Sequence, residues 1–327
     1  MARGSFVVPD RQSFEQYAEQ WHKVRAQRVR EITARSYKGC LGHAYAEFGA
    51  KPLAKVTRAD VERMVSALNS AKRSKRTASL TLFVVRSVFE DALHDGLIVR
   101  NPAARVEALG RDPKNRDAFS SAELAKLRER LSTDRLAGCW LMTLYGLRRS
   151  EVMGLRWHDV DLSARTLSIT RGRVDVDGRR TAEGPTKTRR GVRTLSLPAD
   201  VLAALRELRQ SQLAAFGAEQ VRSGYLAVDA KGELMRPERW SDLWRDACQA
   251  AGVPVKTLHA ARHTSVTTMR DACVLDHLVG AWHGHDEVVM RRTYSHADAE
   301  GLAAAGAALA GVLGTSSKPR RERARRV

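Results

Sequence analysis

A polar, charged segment one third of the way along the chain limits what this sequence can fold into. Residues 109–117 contain Gly110, Pro113 and several charged side chains, and a new helix start follows, where Ser120 and Glu123 form a capping-box pattern. Such segments connect domains, because they have too few apolar side chains to join a core. The 327 residues are therefore expected to form two domains, each with its own core.

The first predicted domain, residues 13–108, is helical. It has a capping-box pattern at Ser13, a second helix start at Thr57, and apolar residues that recur three and four positions apart. The segments with this spacing are Phe14–Val24, Thr33–Phe48, Val61–Leu68 and Leu80–Leu93. They predict about four helices.

The second predicted domain, residues 118–298, is mostly helical with a small antiparallel β-sheet. Helix signals run through Leu147 and resume at Pro198. Between them, β-branched and alternating residues predict strands at Thr166–Thr170 and Val192–Leu197. The fold class is therefore predicted to be mainly α (α+β).

The remaining segments are the connections and ends of the two domains. Residues 109–117 are the predicted linker, and residues 1–12 form an N-terminal extension ahead of the first helix. An apolar helix rich in Ala and Gly is predicted at 299–314. Residues 315–327 are too basic and too poor in apolar side chains to pack, so a disordered tail is predicted there.

The charge of the chain indicates its class of partner. Lys and Arg number 56 against 37 Asp and Glu, which gives a net charge of +19 and indicates a polyanion. No apolar run approaches the roughly 20 residues of a membrane span, and the N-terminus lacks a signal-peptide core, so a cytoplasmic protein that binds nucleic acid and no membrane is expected. The cysteines have no CxxC spacing, so we expect reduced core residues at Cys40, Cys139, Cys248 and Cys273.

Basic residues in the second domain have the spacing that phosphodiester chemistry needs. Cleavage without a metal ion requires a nucleophile, cations for the non-bridging oxygens, a base and an acid. Arg148 follows a glycine at a turn into a helix, with Glu151 one turn beyond to orient it, and His259 and Arg262 share one face of a predicted helix. Taken alone, the Arg148 pattern indicates an ordinary ion-paired helix more readily than a catalytic site.

A group of imidazoles and a phenol follows near the end of the second domain. His283 and His285 flank a glycine, and Tyr294 follows His285 by nine residues. Imidazole pairs also occur in metal sites, but no Cys lies at ligand spacing here, and Asp286 and Glu287 are the nearby carboxylates.

Together these patterns resemble the tyrosine recombinase, or phage integrase, family. The chain contains Gly-Leu-Arg-Arg-Ser-Glu, then a lysine in a predicted hairpin, then His-x-x-Arg-His, then Gly-His, and a tyrosine nine residues later. Four blocks in this order are far more specific than any one of them, and the resemblance runs from about Phe14 to His296. It implies a helical core-binding domain followed by a catalytic domain.

The resemblance implies which residues act on the phosphate. Tyr294 is implied to be the nucleophile that forms a 3′-phosphotyrosyl bond. Arg148 and Arg262 are implied to clamp the scissile phosphate, and His259 to share one of its non-bridging oxygens. Two guanidiniums suit this task because each is always charged and binds two oxygens.

Two further roles concern the protons. Lys187, in a predicted β-hairpin over Pro185–Leu195, is implied to protonate the leaving 5′-oxygen. His285 is implied to bind the phosphate and help receive the tyrosine proton. His283 fills a position that is usually apolar in this family. No cofactor and no metal ion are implied.

The resemblance also implies partners and leaves alternatives open. Double-stranded DNA carrying attachment or crossover sites is the implied substrate, bound by a homo-tetramer on two DNA sites, with an accessory directionality factor as a candidate partner. The helix at 299–314 either docks on a neighbouring protomer or packs within its own chain. The short N-terminal extension leads us to expect no separate arm-binding domain.

Three rival functions compete with integration or excision of a mobile element. A resolvase of dimers or transposons would share the chemistry. A type IB topoisomerase is disfavoured by the two-domain layout, and a catalytically inactive DNA-binding regulator is expected to have lost a residue of the pocket.

Overall fold

A computed structural model describes residues 12–71, 73–108, 118–178, 180–186 and 189–284 of the chain. The chain forms two compact units, one built from the N-terminal helices and one from the later elements. Outside the described residues lie the predicted linker at 109–117, the helix at 299–314, the tail at 315–327, and Lys187, His285 and Tyr294.

The N-terminal unit is helical, as predicted. Its described helices are α1 (Phe14–Ala26), α2 (Glu31–Phe48), α3 (Arg58–Ser70) and α4 (Lys75–His94). Two of them begin at the predicted helix starts: the Ser13 hydroxyl accepts a hydrogen bond from the Gln16 amide at 3.2 Å, and the Thr57 hydroxyl accepts one from the Asp60 amide at 3.4 Å. These bonds satisfy amides that a helix start leaves without partners.

An aromatic cluster lies at the centre of this unit. The Phe14 ring lies 4.8 Å from the Phe48 ring and 5.1 Å from the Phe89 ring, measured between centroids. All three side chains are buried, and they join α1, α2 and α4 in one core.

The second unit surrounds one buried helix. Its described helices are α5 (Ser121–Ser132), α6 (Ala137–Leu144), α7 (Arg149–Gly154), α8 (Ala199–Phe216), α9 (Ala218–Ser223), α10 (Pro237–Ala250), α11 (Leu258–Asp271) and α12 (Asp276–His283). Helix α6 is apolar on nearly every face and packs against α5, α8 and α11. Trp140 of α6 stacks on Trp240 of α10 with 3.5 Å between ring centroids.

The strands of this unit form two small antiparallel sheets. They are β1 (Val160–Asp161), β2 (Thr166–Ile169), β3 (Arg171–Asp175), β4 (Thr181–Pro185) and β5 (Arg193–Ser196). One sheet has the order β1-β2-β5, with Leu167 opposite Leu195, and the other is the β3–β4 hairpin. The predicted mainly α fold with a small antiparallel sheet is therefore confirmed.

The predicted hairpin over Pro185–Leu195 is wrong. β4 ends at Pro185 and pairs back with β3, whereas β5 begins at Arg193 and pairs with β2 in the other sheet. The actual hairpin turn contains Gly178, whose φ of +73° lies in the left-handed region that favours glycine. The chain between β4 and β5 therefore connects two sheets instead of closing one hairpin, and Lys187 itself is outside the described residues.

Two smaller observations complete the fold. Three cysteines are buried as expected, but Cys273 is exposed in the turn after α11, so that prediction is wrong. No helix among the described residues is long and apolar enough to cross a membrane.

Asp60 is a buried carboxylate that holds the start of α3. It is 2% exposed and accepts hydrogen bonds from Lys51 Nζ at 2.7 Å and from the backbone amide of Thr57 at 2.8 Å. Burial alone would raise its pKa, but the bonds from Lys51 and Thr57 outweigh burial and hold the pKa well below its usual range.

We expect Asp60→Asn to lower the free energy of unfolding by about 2 kcal/mol, because charge-assisted bonds to a buried carboxylate are lost. Glu62→Gln is the matched control, since Glu62 forms an exposed ion pair with Arg58 on the same helix and its loss should cost less than about 1 kcal/mol. Urea denaturation of the full chain measures both. Equal effects of the two substitutions would contradict the role of Asp60.

Candidate active site

A tight turn leads from α6 into α7 and places Arg148. Gly146 has a φ of +93°, and a Cβ there would lie 2.5 Å from Nε2 of His283, so only glycine fits. Arg148 is the N-cap of α7. Its Nη1 donates to Oε1 of Glu151 at 2.6 Å, and its backbone amide donates to Oε2 at 2.9 Å. The predicted pairing of Arg148 with Glu151 is therefore confirmed.

Glu151 also binds a second arginine. Arg193 of β5 donates from Nη1 to Oε1 at 3.1 Å and from Nη2 to Oε2 at 3.0 Å, so the carboxylate is gripped on both oxygens. Glu151 is 2% exposed. Burial alone would raise its pKa, but the Arg193 hydrogen bonds and the charges of Arg193, Arg148 and Arg262 outweigh burial and lower the pKa to about 2.

Helix α11 brings the second predicted arginine to the same turn. Arg262 is 1% exposed; its Nη1 donates to the carbonyl of Gly146 at 2.6 Å, and its Nη2 donates to the carbonyl of His283. His259 is exposed and lies one turn earlier on α11, and its ring meets that of His263 edge to face at 4.6 Å. His259 and Arg262 both line a cleft that the first residues of α7 also line.

Arg148, His259 and Arg262 line one cleft of about 570 Å³. Other cations line it too, among them Arg149, whose Nη1 donates to the hydroxyl of Ser241 at 2.8 Å. No acidic side chain is among the described residues of its lining. Such a set of donors fits a phosphate group, because guanidinium and imidazole groups bind its oxygens and neutralise its charge.

His283 lies buried behind the cleft and is held uncharged. Its Nδ1 donates to the carbonyl of Val279 at 2.9 Å, and its Nε2 lies 3.1 Å from the hydroxyl of Ser265. Because a carbonyl can only accept, Nδ1 carries the proton. Burial and the nearby charge of Arg262 lower the pKa of His283 to about 3. His283 therefore acts as a neutral support for the turn at Gly146.

The structure thus brings three of the six predicted site residues together, and the other three lie outside its described residues. Two buried supports were missed by sequence reasoning, Arg193 and His283. Arg193 lies two residues before the buried Leu195 and therefore on the same face of β5, so a cation on the inward face of a strand was the available signal. His283 was noticed only as a polar residue at a position that is usually apolar.

Two family models match the chain. The model described as the phage integrase family matches residues 120–300, which is more than half of the chain. The model described as the phage integrase central domain matches residues 14–108. The chain belongs to the phage integrase family.

Individual relatives agree with this assignment. A tyrosine recombinase XerC-like protein of Caldanaerobacter subterraneus is 25% identical over 258 residues, an alignment that covers 72% of this chain and 66% of that protein. A prophage integrase of Escherichia coli is 25% identical over 240 residues, covering 68% of this chain and 57% of its own length. This chain spans just under two thirds of the first of these curated relatives and less of the second.

Solved structures share the fold. The Tn1549 transposon integrase in complex with transposon right end DNA superimposes with a TM-score of 0.80 at 19% identity, covering 91% of this chain and 100% of that one. A lambda integrase tetramer bound to a Holliday junction gives a TM-score of 0.63 at 17% identity, covering 84% and 78%.

The buried neutral His283 predicts a specific pH dependence of stability. Its folded pKa of about 3 lies below the ordinary value of about 6.5, so between these values the unfolded chain binds the extra proton. The contribution of neutral His283 to the free energy of unfolding is complete above about pH 6.5 and decreases as the pH falls below that value. Between pH 7 and pH 5 the wild type should lose about 2 kcal/mol of its free energy of unfolding through His283. The His283→Gln variant should not show this part of the loss.

Urea denaturation at pH 7, 6 and 5 measures this slope independently of the absolute stability of the variant. His277→Gln is the matched control, because His277 is exposed on the same helix, and it should keep the wild-type slope. Parallel curves for the wild type and His283→Gln would contradict a neutral buried imidazole.

Proposed function

We propose that this chain is a site-specific DNA recombinase that integrates or excises a mobile element by transient covalent attachment to DNA. The observation that carries the proposal is the basic cleft, in which Arg148, His259 and Arg262 converge although they come from distant parts of the sequence. Membership of the phage integrase family supports it, as does the spacing of Tyr294 from the Gly-His pair.

The two guanidiniums and His259 bind the non-bridging oxygens of the scissile phosphate. Their charge stabilises the extra negative charge of the pentacoordinate phosphorane. Arg148 suits this role because its side chain remains 35% exposed at the cleft while its backbone and Nη1 are fixed on Glu151. Arg262 forms the inner wall.

The reaction itself is a pair of transesterifications. The phenol oxygen of Tyr294 attacks phosphorus, a 3′-phosphotyrosyl bond forms, and the 5′-oxygen leaves with a proton from Lys187. His285 helps to receive the phenol proton, which is needed because a phenol of pKa about 10 is mostly un-ionised at neutral pH. The 5′-hydroxyl of a partner strand then attacks the phosphotyrosine and releases the phenol. The number of phosphoester bonds is conserved, so the chemistry needs no ATP.

The partners follow from this reaction. Residues 13–108 and 118–298 act as core-binding and catalytic domains on double-stranded DNA in the cytoplasm, and four copies join two DNA sites. The net charge of +19 supports a DNA substrate. An accessory directionality factor would be a further partner.

The nucleophile is tested by trapping it. The probes are nicked suicide duplexes made from the two end sequences of the DNA element that carries the gene. We expect the wild type to form a protein–DNA adduct that survives denaturing electrophoresis, with the DNA attached at Tyr294 in peptide mass spectrometry. Tyr294→Phe should form none.

Tyr145→Phe is the matched control, because the Tyr145 hydroxyl binds Asp200 at 3.1 Å and does not line the cleft. It should form the adduct like the wild type. A wild type that forms no adduct, or a Tyr294→Phe variant that forms it equally well, would overturn the proposed function.

The cleft is tested by the salt dependence of binding to a random-sequence duplex. Counterion release predicts a slope of log K against log salt near −5 if roughly six phosphates are neutralised. Arg149→Gln should reduce the magnitude of this slope by about one, whereas Arg206→Gln, an exposed position of α8, should leave it unchanged. A slope near zero would exclude a basic DNA-binding cleft.

A further inference from the structure

Three arginines donate to three successive carbonyls at the end of α12. Arg193 Nε donates to the carbonyl of Trp282 at 2.7 Å, Arg262 Nη2 to that of His283, and Arg148 Nη2 to that of Gly284 at 3.0 Å. A helix leaves its last carbonyls without intrahelical partners, and these carry partial negative charge. Guanidinium groups satisfy them here.

Two of these arginines line the cleft, whereas Arg193 does not. The Arg193 side chain is 7% exposed, and all of its described bonds go to the protein interior. Besides the Trp282 carbonyl and Glu151, it reaches the carbonyl of Gly191 from Nη1 at 3.0 Å. Arg193 is therefore held inside the protein and not at the cleft.

Arg193 instead joins three parts of the site. Through Glu151 it fixes the carboxylate that holds Arg148, and through Trp282 it fixes the end of α12, after which the chain continues to His285. Through Gly191 it fixes the chain that follows Lys187. Packing at this junction is tight, since a Cβ on Gly284 would lie 3.1 Å from Arg193 Nη1.

Electrostatics gives this arrangement a second consequence. A single carboxylate paired with Arg148 alone would neutralise the cation that faces the cleft. With Arg193 as a second partner for Glu151, the group of Arg148, Arg193, Arg262 and Glu151 keeps an excess of positive charge beside the cleft, which favours an anionic transition state.

We propose that Arg193 is a positioning residue for the cleavage step, which fixes the turn at Trp282–Gly284 and the orientation of Arg148 without contacting DNA. This proposal rests on the proposed function, because it concerns the rate of the same phosphotyrosine formation. It predicts that a change at Arg193 alters the rate of cleavage and not the affinity for DNA.

The test compares Arg193→Lys with the wild type on the suicide duplexes. Lysine keeps a buried cation but cannot make the paired bonds to Glu151 together with those to Trp282 and Gly191. We expect the single-turnover rate of adduct formation at saturating protein to fall by about 100-fold, as a small misplacement in an active site does. The dissociation constant for DNA should change by less than about threefold.

Arg171→Lys is the matched control. Arg171 lies on β3 in the other sheet, is partly buried and binds Asp159 at 3.2 Å, but it does not contact the end of α12. It should cleave at the wild-type rate. A merely structural role of Arg193 would lower the folded fraction and leave the rate constant of the folded protein unchanged.

If Arg193→Lys does not fold, a double variant that removes one positive and one negative charge provides a second test. Arg193→Gln with Glu151→Gln removes both partners of the buried pair, which proteins tolerate better than loss of one. We expect it to bind DNA and to cleave at least 100-fold more slowly, as misplaced catalytic groups do.

Wild-type cleavage rates in Arg193→Lys or in the double variant would overturn the positioning role while leaving the proposed function intact. A wild type that forms no adduct would overturn both.

Discussion

The carboxylate of Glu151 is the point on which the rest of the site depends. It is buried, it is ionised, and it accepts hydrogen bonds from two guanidiniums and from the backbone at the start of its own helix. A buried charge of this kind is tolerated only when each oxygen has partners. The short helix α7, the strand β5 and the arginine at the cleft are therefore fixed with respect to one another by a single side chain.

The end of α12 is the complementary half of the same arrangement. Glu151 supplies the negative charge that gathers two of the arginines, and the carbonyls of Trp282, His283 and Gly284 receive hydrogen bonds from these two and from Arg262. Arg148 and Arg262, which are proposed to bind the scissile phosphate, therefore also stabilise the end of α12. Several positive charges can lie beside the cleft because the carbonyls at the end of α12 and the Glu151 carboxylate all stabilise them.

Local signals in the sequence were sufficient for much of the fold. The capping boxes at Ser13 and Ser120 and the helix start at Thr57 were predictable, because each depends on only a few neighbouring residues. The pairing of Arg148 with Glu151 was predictable for the same reason. The pairing of the strands was not predictable in this way, because the partners of β4 and β5 are determined by contacts between residues far apart in the sequence.

The site itself divides in the same way. The order of the motif blocks allowed Arg148, His259 and Arg262 to be predicted as site residues, and the structure shows that they line one cleft. Arg193 and His283 were not assigned because part of their bonding goes to backbone carbonyls, and every residue has a carbonyl whatever its side chain. The carbonyls that such residues bind are therefore identified only in the folded structure.

The turn at Gly146 has a consequence for how sequences of this kind can vary. A Cβ at this position would lie 2.5 Å from Nε2 of the His283 imidazole, which bonds to the Val279 carbonyl and to Ser265. The identities of positions 146 and 283 are therefore linked: the space that the imidazole occupies is the space that a side chain at 146 would need. A smaller residue at 283 would remove the nearest clash, but the Ser265 hydroxyl at 3.0 Å and the left-handed backbone would still favour glycine at 146.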